Sequence, residues 1–140
     1  MSTPFAVFLR TLRLRGGFSQ LELAKKLGYE QTYVSAIELG TKPPSSEFLA
    51  KLTETLALAD SDQRDLEREL EDSPRRIVIP SDLPTNEYRL YAELRRKVGQ
   101  LLPAQIDAIR TILRMDDEMA ARPRYGVARL RRKAKEEPKM

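Results

Sequence analysis

The stretch from Ser19 to Pro44, SQLELAKKLGYEQTYVSAIELGTKPP, leaves the chain the fewest choices. Two short amphipathic patterns lie on either side of Gly28. The first, Ser19 to Leu27, opens with a hydroxyl able to cap a helix and carries apolar residues at Leu21, Leu23, Ala24 and Leu27. The second, about residues 31–39, turns Val34 and Ile37 inward and leaves Gln31, Thr32 and Ser35 on the other side. Ala24 is small, so the second helix can cross the first closely. Gly28 stands where a tight turn calls for a positive φ, and Gly40 ends the second helix in the same way. Small polar residues on the outer face of a short helix are what base edges in a DNA major groove require. The rest of the chain must either build a core behind these two helices or pair two copies of them.

A core-building frame is legible around them. Residues 4–15 read as a helix with Thr3 as cap and Pro4 at its first position, and Phe5, Phe8, Leu9 and Leu12 form its stripe. Gly16-Gly17 ends it, and Phe18 staples the next helix start into the core. After Pro43-Pro44, Ser45 or Ser46 caps a fourth helix with Phe48, Leu49, Leu52 and Leu56 inward. Asp60 or Ser61 caps a fifth, about residues 62–71, carrying Leu66 and Leu70. Five helices in about 70 residues approach the lower limit for a self-sufficient core.

Residues 73–86 change character, with three prolines that forbid a continuous helix and one β-like run, Arg76 to Ile79. That run is a linker with an apolar contact or an edge strand pairing with its own copy. Two more helices follow in residues 87–121. Thr85 or Asn86 caps the first, with Tyr88, Tyr91, Leu94, Val98 and Leu101 on one face. Pro103 starts the second, with Ile106, Ile109, Leu113 and Met119 as its stripe. Two amphipathic helices alone bury little, so these apolar residues call for a partner surface. The tail, residues 122–140, holds a dense basic run from Arg129 to Lys135 and is expected to be disordered when free. It reads as a solubilising tail or as a source of non-specific phosphate contacts.

Charge supports a polyanionic partner. Net charge is +4, but residues 1–56 carry +2, residues 57–121 carry −4 and residues 122–140 carry +6. Basic ends and an acidic middle point the two ends at the polyanion. There is no cysteine and no histidine, so disulfides, thiolate nucleophiles and imidazole chemistry are out. No carboxylate pair falls in a catalytic pattern; Glu67, Glu69, Glu71 and Asp72 read as a solvated helix face and its end. The expectation is a protein without enzymatic activity, cofactor or metal. No apolar run approaches the roughly 18 residues that span a bilayer. MSTPFAVFLR lacks the charged and hydrophobic regions of a secretory signal. A cytoplasmic protein associated with the nucleoid, with no membrane partner, is expected.

Residues 5–56, and more loosely to 70, resemble the phage repressor and Cro type of helix-turn-helix, the XRE family of bacterial and phage regulators. The matching residues are Arg13 late in the first helix, SQLELAKKLG, QTYVSAIELG and Pro43. The resemblance implies that Glu38 pairs with Arg13 and faces away from the groove. It implies base contacts from Gln31, Thr32 and Ser35, where a glutamine can bond adenine and the Thr32 methyl can meet thymine. Ala36 adds an apolar contact. Gln20, at a helix start where free N–H groups favour an anion, is implied to contact the DNA backbone. Tyr33, through its hydroxyl, and Arg13, Lys42 and Arg10 complete the phosphate candidates.

The expected architecture is all-α: a five-helix domain in residues 1–72, an extended linker, a helical hairpin and a basic tail. The expected function is sequence-specific binding of double-stranded DNA by a transcriptional repressor. It acts as a homodimer on a palindromic operator, held together through Tyr88, Tyr91, Leu94, Val98, Ile106, Ile109 and Leu113. The alternative is an antitoxin that represses its own operon and holds a toxin through its C-terminal half.

Overall fold

The computed structural model describes residues 2–120, and every regular element among them is helical. In chain order these are α1 (Pro4–Arg15), α2 (Gln20–Leu27), α3 (Gln31–Glu38), α4 (Ser46–Thr55), α5 (Asp60–Glu71), α6 (Thr85–Arg96), α7 (Pro103–Leu113) and α8 (Met115–Ala120). The chain divides into two compact units, Met1–Ile79 and a second that begins at Pro80. The tail with its basic run lies outside the described residues.

The helices of the first unit start where side chains can satisfy free N–H groups. The Thr3 hydroxyl accepts from the Ala6 N–H, and the Ser73 hydroxyl accepts from the Phe5 N–H at 2.8 Å. α1 is therefore capped from both ends of the unit, and Ser73 belongs to this unit rather than to a linker. Ser19 and Glu22 form a reciprocal capping box on α2. Ser45 caps α4 by accepting from the Phe48 N–H. α5 departs from expectation. It starts at Asp60, with Ala59 in the cap position and no side-chain cap. Buried Leu58 pins the preceding residue, and Asp60 and Asp62 serve the helix from within its first turn, through its dipole.

One core lies behind α2 and α3. Phe5, Leu9 and Leu12 of α1 meet Leu23, Ala24 and Leu27, then Val34 and Ile37, closed by Phe48, Leu52, Leu58 and Leu66, all buried. Phe8, Phe18, Leu49, Leu56 and Leu70 pack around it. Leu21 does not join: it is 46 % exposed, because the face that Leu23, Ala24 and Leu27 define turns away from it.

No strand forms among the described residues. Residues 76–79 adopt no regular structure and are unpaired, with Ile77 89 % and Val78 90 % exposed. In the second unit α6 begins at Thr85 itself, with Pro84 in the cap position, so neither Thr85 nor Asn86 caps it. α6 ends at Arg96, and Gly99 takes φ +79° beyond it. Val98 and Leu101 therefore lie past the helix and do not extend its face. The expected pair of helices is a trio, since α7 stops at Leu113 and Met119 falls on the short α8. None of the described residues from Pro80 onward whose burial is defined is buried.

Candidate nucleic-acid interface

α3 divides cleanly by face. Val34 and Ile37 are wholly buried, Gln31 and Thr32 are exposed, and Ser35 and Ala36 are half-buried. Among the described residues the side-chain hydrogen bonds at the outer positions of α3 are those of the Ala36 carbonyl, which accepts from the Thr41 hydroxyl, and of the Tyr33 hydroxyl, which accepts from the Ser45 N–H and donates to the Ser45 hydroxyl. The side chains of Gln31, Thr32 and Ser35 are left free to meet a partner. Glu30 starts α3 with extended backbone and no side-chain cap, so this helix start is held by its neighbours rather than by its own cap.

What holds α3 is a buried ion pair. Arg13 Nε donates to Glu38 Oε2 at 2.7 Å and Nη2 donates to Oε1 at 3.0 Å, with the side chains 11 % and 4 % exposed. Arg13 Nη1 donates to the Phe18 carbonyl at 2.9 Å. Gln20 Nε2 reaches Glu38 Oε1 at 3.4 Å. One carboxylate thus gathers α1, α2 and α3, in the planar fork geometry that arginine and a carboxylate share. This corrects Arg13 as a phosphate contact: its guanidinium is buried and both its edges are occupied. Gln20 is half-buried with its amide nitrogen turned to Glu38.

Tyr33 also takes a different place from the expected one. Its ring stacks on Tyr29 with centroids 4.8 Å apart and meets Phe48 edge-on. That stack aims the hydroxyl at α4, where it accepts from the Ser45 N–H at 3.1 Å and lies 3.3 Å from the Ser45 hydroxyl. The hydroxyl expected at a phosphate is bonded to the α4 cap instead. Lys42 lies over the outer side of Tyr33, Nζ 5.1 Å from the ring centroid, and is exposed. Lys51 lies at the same distance over Tyr29. Its ammonium is held above its ordinary value, first by the hydrogen bond to Glu47 and less by the nearby charges. Arg10 is exposed on α1. Together Gly28, Tyr29, Glu30, Thr32, Tyr33, Ala36 and Lys42 line an open depression beside α3. Sequence reasoning did not single out Tyr29 or Lys51. Tyr29 precedes the extended cap of α3, so helical spacing carries no signal for its stack on Tyr33.

The apolar candidates of the second unit stay open. Tyr88 is 37 % exposed and donates its hydroxyl to the Pro80 carbonyl, while the Tyr91 hydroxyl donates to Glu87. Leu94 and Ile109 are half-buried, and Val98, Ile106 and Leu113 are exposed. Among the described residues no helix is long and apolar enough to cross a membrane, and no cluster of three carboxylates is placed to hold a metal ion.

Comparison with known proteins agrees with this geometry. A family model described as a helix-turn-helix domain matches residues 4–66, which covers α1 to α4 and the first part of α5. No curated protein and no solved structure matches the chain.

Proposed function

We propose that the chain is a sequence-specific repressor of the XRE type that binds a palindromic operator as a homodimer, from the premise that its residues 4–66 are a helix-turn-helix domain. The observation that carries the reading is the free outer face of α3. Gln31 and Thr32 stand exposed at its start while Arg13 and Glu38 anchor its other side. In this reading α3 enters the major groove. Gln31, Thr32 and Ser35 meet base edges and Ala36 adds an apolar contact. Lys42, the α2 start at Gln20 and Arg10 contact phosphates.

A single module of this size buries too little surface to specify a site in a genome. Two copies set about 34 Å apart would read successive major grooves on one side of the duplex. The apolar side chains from Tyr88 to Leu113, none of them buried within one chain, support a second copy as the device that sets this spacing. The same exposed side chains suit the antitoxin alternative, in which a toxin covers them.

Selection of bound sequences from random DNA, followed by footprinting, tests the proposal. A palindrome with fixed half-site spacing is expected. Binding indifferent to sequence would overturn it. Co-purification with one stoichiometric protein partner in place of a second copy would favour the antitoxin.

A further inference from the structure

Residues 75–79, at the end of the first unit, form no helix or strand and make no backbone hydrogen bond with any other described residue. Along an extended chain successive side chains point to opposite faces. Paired as a strand, Ile77 and Ile79 would share one face and Val78 the other. With Ile77 89 % and Val78 90 % exposed, both faces are open, as are the N–H and C=O groups between them. Resting on the two-copy reading above, we propose that residues 76–79 pair antiparallel with the same residues of a second copy, in a register centred on Val78.

The residues themselves select that arrangement. A parallel pair would set Arg75 against Arg75 and Arg76 against Arg76, an unfavourable opposition of like charges. An antiparallel register centred between Ile77 and Val78 would set Ile79 against Arg76 and mix charge into both faces. Centred on Val78, Ile77 of each copy lies opposite Ile79 of the other. Four isoleucines then form one apolar face, and the two Val78 side chains meet on the other. Arg76 lies opposite Pro80, and the two Arg76 residues stand about 13 Å apart along the ribbon at ~3.3 Å per residue, beyond the ~8 Å over which exposed charges interact at physiological salt. Pro74 and Pro80 close the ladder at both ends, because neither can donate to it. Just past the segment, the Tyr88 hydroxyl donates to the Pro80 carbonyl. A two-stranded ribbon is marginal by itself. The exposed apolar side chains of α6 and α7 supply the further surface the same two copies would bury.

The chain has no cysteine, so single cysteines report the register without background. In the full-length protein, Val78→Cys is expected to form a disulfide-linked dimer on mild oxidation. Ile77→Cys is expected to cross-link at least tenfold more slowly, because the register offsets its two copies beyond the roughly 7 Å limit between α-carbons. Val78→Pro, which removes a donor at a position without contacts in one chain, is expected to keep its circular dichroism and to dissociate at least tenfold more readily by light scattering. A wild-type dimer in which the two cysteines cross-link alike, or in which Val78→Pro changes nothing, overturns the pairing, leaves the two-copy reading standing and assigns the segment to another occupant. A wild-type chain that stays monomeric at micromolar concentration overturns the two-copy reading, and the pairing with it.

Discussion

At the scale of single residues, Arg13 and Glu38 carry the sharpest consequences. Pairing two buried charges gains little over an apolar pair, but deleting one partner strands the other. Arg13→Ala or Glu38→Ala is expected to cost about 3–5 kcal/mol, read as a large fall in the midpoint of urea or thermal unfolding, and to weaken DNA binding with it. Replacing both, Arg13→Met with Glu38→Leu, should return most of the lost stability; a double variant as unstable as the singles would mean that the arginine's bond to the Phe18 carbonyl dominates. Gln31 and Thr32 behave in the opposite way. Neither has a partner within the domain, so Gln31→Ala and Thr32→Ala should leave unfolding unchanged while costing about 1–3 kcal/mol of affinity for the selected operator each, by titration. Glu22 adds a pH dependence. The Ser19 N–H, and then the Ser19 hydroxyl, hold its carboxyl below the ordinary value. A depressed carboxylate stabilises the fold above the unfolded pKa and loses that contribution as pH falls through the folded one. The stability gap between wild type and Glu22→Gln, measured by thermal melting, should be present at neutral pH and close on acidification below the glutamate range.

At the scale of elements, the turns on either side of α3 differ in what they tolerate. Gly28 takes φ +77°, and a Cβ there would meet only the Lys51 ammonium at 3.9 Å. Gly28→Ala should therefore cost only the left-handed backbone, about 1–2 kcal/mol. Gly40 takes φ +76°, but its Cβ would come within 2.8 Å of the Ser2 hydroxyl and 3.2 Å of the Thr3 backbone. Gly40→Ala should melt at a distinctly lower temperature than Gly28→Ala, and equal melting would refute this ranking. Helices with both a cap and a stripe were legible beforehand. α1, α2 and α4 start where Thr3, Ser19 and Ser45 allow, and Val34 and Ile37 oriented α3 correctly. What failed to show were features set by distant residues. Ser73 joins α1 across the whole unit, Tyr33 turns to Ser45 because Tyr29 stacks behind it, and Ala59 starts α5 without a side-chain cap. In α6 apolar spacing continued through Val98 and Leu101, yet the helix stops at Arg96; periodicity carries no information about where backbone hydrogen bonding ends. By its place in the sequence Arg13 fits both an ion pair and a phosphate contact, and only burial separates the two.

At the scale of the whole molecule, the two units are unlike in kind. The first holds every buried apolar side chain among the described residues; the second holds none. A fragment ending at Ile79 should unfold cooperatively as a monomer in calorimetry. A fragment ending at Asp72 should melt lower, because it loses the Ser73 hydroxyl that caps α1. Residues 80–140 alone should show no cooperative transition at high dilution and gain helicity with concentration; a sharp, concentration-independent transition would refute this. A unit that finds its interior only by meeting a second copy would, on the two-copy reading, give the protein a sense of its own abundance. On the two-copy reading, occupancy of the operator rises more steeply than the amount of protein made. A modest change in synthesis or turnover would then throw a gene from open to shut without any small-molecule signal.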